Sequence, residues 1–109
     1  MDEKKERRIK AIDAVNSLSD FMRSKGVDEL AKRYEVISKA LQEKNIQHAV
    51  SQEGYIPQGG MGSLTDLYIS KANGHNTSDP EKDNALLMKY IEEVSHAFAQ
   101  LRKQLKGDM

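Results

Sequence analysis

With 109 residues, 17 basic and 17 acidic side chains, no cysteine and a mean hydropathy of −0.72, the chain is sized for one domain, 1–109. The absence of cysteine excludes disulfides, thiolate metal sites and thiol nucleophiles, and zero formal net charge argues against a nucleic-acid binder that works by neutralising phosphates. The longest apolar run, Ala85 to Met88, is far too short for a membrane span, and the charged amino end lacks a secretory pattern, so the sequence reads as a cytoplasmic protein with no membrane partner.

Strong helix formers without proline predict a first helix from about Glu3 to Lys25, stopped by Gly26. Ala11, Ala14, Val15, Leu18, Phe21 and Met22 gather on one face, while Ile9 lies nearly opposite, in charged first turns expected to fray or stand free. Asp28 is the expected N-cap of a second helix running to about Lys44, in which Leu30, Tyr34, Ile37 and Leu41 form one narrow apolar stripe and Val36 falls off it. The short link at Gly26-Val27 predicts that these two helices form an antiparallel hairpin.

Asn45 can cap a short third helix with Ile46, Ala49 and Val50 inward, ended by Gly54 and Pro57. Three glycines then fall within four positions, Gly59, Gly60 and Gly62, around Met61. Ser63 is placed to cap a turn with Asp66 three residues on, although Leu67-Tyr68-Ile69 reads as extended. A polar surface loop follows to Asp79, and the last helix starts sharply, with Ser78 or Asp79 as cap and Pro80 in the first turn. From about Pro80 to Leu105 its apolar face, including Leu87, Tyr90, Val94, Phe98 and Leu101, is wide enough for two neighbours, which makes it the expected central support. The fold class is therefore all-α: a small antiparallel bundle of three long helices and a short one, with a glycine-rich loop and a short extended segment.

Several motifs invite chemistry. The glycine loop offers backbone N–H groups for an anion, but it lacks the lysine and preceding strand of a phosphate-binding P-loop, and a structural turn or protein-contact loop is the better reading. Asp66 reads as a cap that rigidifies the loop. His48, His75 and His96 raise a metal site, and Glu93-x-x-His96 is half of a di-iron pattern, but no second copy exists and His96 falls on the polar face; no metal or cofactor is expected. Ser63, Asp66 and His75 have no diagnostic spacing for a nucleophile and its base. Asn76-Thr77-Ser78 matches a glycosylation sequon, better read as the approach to a helix cap.

The run Gly59-Gly60-Met61-Gly62-Ser63-Leu64-Thr65-Asp66-Leu67, with Tyr68-Ile69, a polar loop and a closing amphipathic helix after it, resembles a family of small uncharacterised bacterial helical proteins. Their motif reads Gly-Gly-Met-Gly-Ser, then Leu or Phe, a variable residue or Asn, and Asp-Leu. The resemblance covers the last half of the chain; Thr65 stands where the family often has Asn, and Ile56-Pro57-Gln58 enters the loop differently. Proteins of this sort are similar to immunity proteins encoded beside secreted bacterial toxins, and the resemblance implies no catalytic residue.

The expected function is thus a non-enzymatic protein-binding module, an immunity protein that occludes a toxin. Its contact surface comprises Gly59, Gly60, Met61, Gly62, Ser63 and Asp66 with Asn73 and His75, and Tyr55, Met61 and Tyr68 serve as anchors. The alternatives are an anion or small-ligand sensor built on the glycine loop, and a homo-oligomeric scaffold that buries Ile9 and Val36 between copies.

Overall fold

The computed structural model describes residues 2–56 and 67–107. Among the described residues there are four α-helices: α1 (Glu3–Ser24), α2 (Asp28–Gln42), α3 (Ile46–Gly54) and α4 (Pro80–Gly107). A single 3-10 turn spans Lys71–Asn73, and no strand occurs among the described residues. The all-α bundle of three long helices and a short one is as the periodicity predicts. The glycine loop, including Gly59 to Asp66, lies outside the described residues.

Both turns between the first three helices follow one hydrogen-bonding scheme. After α1, Gly26 N–H donates to the Arg23 carbonyl and Val27 N–H to that of Met22, with Gly26 at φ 82°; buried Val27 and Met22 supply the hydrophobic contact of a Schellman motif. After α2, Lys44 N–H donates to Leu41 and Asn45 N–H to Ala40, and here the left-handed position is held by Lys44 at φ 64°. That reversal ends α2 at Gln42, two residues before the expected Lys44. Asn45 then accepts from His48 N–H through its side chain, so one residue closes α2 and caps α3, as its amide chemistry predicts.

Three expectations need correction. Asp28 does not cap α2: it is the first helical residue, Val27 occupies the cap position, and the carboxylate lies 3.8 Å from Arg23 instead. The start of α1 is capped rather than frayed, the Asp2 carboxylate accepting from the N–H groups of Lys4 and Lys5, while residues 3–6 are exposed as expected. Nor is α4 the central support. Helix α1 packs along both α2 and α4, α3 packs against α2, and α4 meets α3 only lightly. The wide apolar face of α4 still meets two neighbours, α1 and α3.

The core combines Ala11, Val15, Leu18 and Met22 of α1 with Tyr34, Ile37 and Leu41 of α2, Ala49 of α3, and Leu87, Val94, Phe98 and Leu101 of α4. Ile9 and Val36, which break the apolar stripes, are exposed, as the helical wheel requires. Polar ties cross the helix interfaces. Arg23 grips Glu35 through two N–H···O bonds of 2.7 and 2.6 Å, holding that carboxyl below its ordinary pKa chiefly through hydrogen bonding. Buried Glu53 pairs with Arg102 and thereby ties α3 to α4. Burial, reinforced by the charge of Glu53, raises the pKa of the Tyr34 hydroxyl.

Candidate partner-binding site

The segment from Leu67 to Asp79 has almost no regular structure, yet side chains fix nearly every turn of it. Ile69 is completely buried and anchors the segment in the core. Its N–H donates to Asn84 Oδ1 at 2.8 Å, and its carbonyl accepts from Asn84 Nδ2 at 2.9 Å. One amide on α4 thus satisfies both backbone groups of Ile69, as a neighbouring strand would. The Leu67-Tyr68-Ile69 stretch is therefore not helical, and its backbone finds a side chain rather than a sheet.

The next turn closes on Ser70. Its carbonyl accepts from the N–H groups of Asn73 and His75, its hydroxyl from Asn73 N–H, and its own N–H donates to His75 Nδ1 at 3.1 Å. That last bond places the neutral imidazole's proton on Nε2. Asn73 Nδ2 reaches back to the Tyr68 carbonyl at 2.9 Å, and Gly74 supplies the left-handed residue at φ 80°. Asn73 and His75, both predicted as contact residues, thus shape the loop that carries Tyr68.

The far end of the segment is bolted to α1. Asn76 N–H donates to the Lys25 carbonyl at 2.9 Å and its side chain to that of Ser24 at 3.3 Å. Buried Thr77 donates its hydroxyl to buried Asp83, whose carboxylate also lies 3.0 Å from Lys25 Nζ. These bonds lower the Asp83 pKa, Thr77 contributing most and Lys25 next. The Lys25 ammonium in turn stands 5.8 Å from the Phe21 ring, which packs against Tyr90 at 5.2 Å. Asp79 accepts from Lys82 N–H, so of the two expected caps Asp79 opens α4. The sequon residues are thus spent on the approach to the helix, with Thr77 buried.

What the braced segment presents outward is Tyr68, 55% exposed although its neighbour Ile69 has no exposure at all. Met88, one helical turn beyond Asn84 on the same side of α4, is 53% exposed. Sequence reasoning missed Met88, Asn84 and the Lys25–Thr77–Asp83 cluster. A signal existed for Asn84: asparagine is a poor residue inside a helix unless its amide has other work.

Tyr55 belongs to a different region. It is 74% exposed at the carboxyl end of α3, two residues past Glu53 and hence near Arg102. Arg102 is eighteen residues from Asn84 on α4, a separation of about 27 Å along the helix axis. The structure therefore brings Tyr68, Asn73 and His75 together and leaves Tyr55 apart. Gly59, Gly60, Met61, Gly62, Ser63 and Asp66 lie outside the described residues. Among the described residues, no group of three His, Asp or Glu side chains is placed to hold a metal ion, and no helix is long and apolar enough to cross a membrane. His96 is exposed on the polar side of α4.

Comparison of the chain with protein-family models, with curated proteins and with solved structures gives no match.

Proposed function

We propose that the chain is a non-catalytic protein-binding module whose principal contact is Tyr68, with the exposed Met88 of α4 as a second contact. The observation that carries this reading is an exposed tyrosine on a loop whose backbone is already held from both sides. Tyrosine supplies a large contact area with few rotors to freeze, and such residues dominate the energy of many interfaces. A braced loop also loses little conformational entropy on binding, so more of the contact energy appears as affinity.

The partner we propose is a bacterial toxin, with the chain acting as an immunity protein in the cytoplasm and covering the toxin's active site. This identification rests on the Gly59–Leu67 motif and the family it resembles, and Tyr68 follows that motif directly. Co-expression with a toxin encoded beside the gene tests it. The proposal expects restored growth and a stable complex on purification; no protection and no complex would refute it.

A further inference from the structure

At the other end of the bundle from Tyr68, the start of α1, the α2–α3 turn and the last turns of α4 enclose a depression of about 330 Å³. It is lined by Asp2, Lys4, Lys5, Arg8, Lys44, Ile46 and Gln104. Lys5, Arg8 and Lys44 thus gather at one place, and among the described lining residues Asp2 supplies the carboxylate. Asp2 Oδ1 already accepts from two backbone N–H groups. Among the described residues, Lys5, Arg8 and Lys44 have no carboxylate within ion-pair distance; the Arg8 guanidinium reaches only the Leu41 carbonyl, at 3.3 Å.

Two further observations make this more than a solvated patch. Lys44 occupies the left-handed position of the α2–α3 turn, where glycine would cost least, so conformational energy is given up at a position that delivers an ammonium group to the depression. On the α4 wall, Gln104 Oε1 is buried and has no hydrogen-bond partner among the described residues. An acceptor without a partner on a residue that lines this depression, beside gathered cations, suits a ligand that is anionic at one end and carries an O–H or N–H donor.

We infer that this depression binds a small phosphorylated compound. Its phosphate lies among Lys5, Arg8 and Lys44, and a hydroxyl on the same molecule donates to Gln104 Oε1. A phosphate monoester offers three terminal oxygens to three cationic side chains and carries nearly two negative charges, which a carboxylate does not match. The site is built from side chains, since Asp2 already occupies the first helix amides, and it is independent of the Tyr68 surface.

Calorimetric titration of the full chain with glycerol 3-phosphate and with inorganic phosphate, at low salt, tests the inference. Saturable one-to-one binding is expected, with glycerol 3-phosphate preferred. Lys44→Gly should weaken both about tenfold, as expected for one charge-assisted contact, without lowering the melting temperature. Gln104→Leu should remove the preference for glycerol 3-phosphate while retaining phosphate binding. Absence of saturation in the millimolar range, or unchanged affinity in Lys44→Gly, would overturn the site. Sedimentation with phosphatidic acid vesicles that requires Lys44, without binding of the free compounds, would overturn the small-molecule ligand in favour of a lipid headgroup.

Discussion

Asn84 holds Ile69 by both backbone groups, accepting its N–H at 2.8 Å and donating to its carbonyl at 2.9 Å, while Nδ2 also reaches the Pro80 carbonyl at 2.7 Å. The contact joins a polar position on α4 to a buried residue fifteen positions earlier and fixes where Tyr68 emerges. Asn84→Ala leaves two backbone groups of a buried residue without partners, at an expected cost of about 2 kcal/mol. Hydrogen exchange at the Ile69 amide is the specific readout: its protection should fall sharply, whereas amides in the middle of α1 should report only the global loss. Asn84→Asp keeps the acceptor and loses the donor, so it should retain part of the Ile69 protection.

The Lys25–Asp83–Thr77 cluster makes stability depend on acid. The folded pKa of Asp83 lies below its unfolded value, which is about 3.9. Its contribution is therefore fully present above the unfolded pKa and is lost as the pH falls through the folded pKa. Melting temperatures should be insensitive to Asp83 from pH 7 to pH 5 and should fall more steeply in the wild type than in Asp83→Asn below about pH 4. Glu35, lowered by Arg23, adds a slope of the same sign, so the comparison belongs in a Glu35→Gln background.

Much of the bundle was legible because its elements are encoded locally. Gly26, Asn45, Asp79 and Pro80 mark boundaries through chemistry that acts within a few residues, and the stripes from Ala11 to Met22 and from Leu30 to Leu41 report burial through periodicity alone. The misreadings came where two local signals competed or a distant partner decided. Asp28 has the composition of a cap, but the Schellman turn at Gly26 already places Val27 at the helix entrance. The width of α4's apolar face suggested a central helix, yet a wide face reports the number of neighbours and not which helix lies between the others. Within the site, Tyr68 was legible as an aromatic beside a loop. The roles of Asn73, His75, Asn84 and Asp83 were not, since each depends on which backbone atom the fold brings within reach.

Lys44 provides a stability test in the opposite direction. Its left-handed backbone costs a side-chain-bearing residue about 1 kcal/mol, partly offset by the extra freedom glycine gives the unfolded chain. Lys44→Gly should therefore stabilise the protein by up to about 1 kcal/mol in urea denaturation, with an unchanged m-value.

The Glu53–Arg102 pair predicts an asymmetry. Glu53 is buried and Arg102 is substantially exposed, so Arg102→Leu strands a charge in a poorly hydrated position whereas Glu53→Gln releases a cation to water. With solvent screening on the arginine side, Arg102→Leu should cost about 1–3 kcal/mol and Glu53→Gln distinctly less, measured by thermal unfolding at pH 7.

The central claim, that a braced loop presents Tyr68 to a protein partner, is tested most directly by the affinity of Tyr68→Ala for the toxin encoded beside the gene. The variant's melting temperature and Ile69 exchange should match the wild type, because only the exposed ring is removed. The account predicts a loss of affinity of about thirtyfold or more, as for an interface anchor worth 2 kcal/mol. Wild-type affinity in a natively folded Tyr68→Ala protein would contradict it.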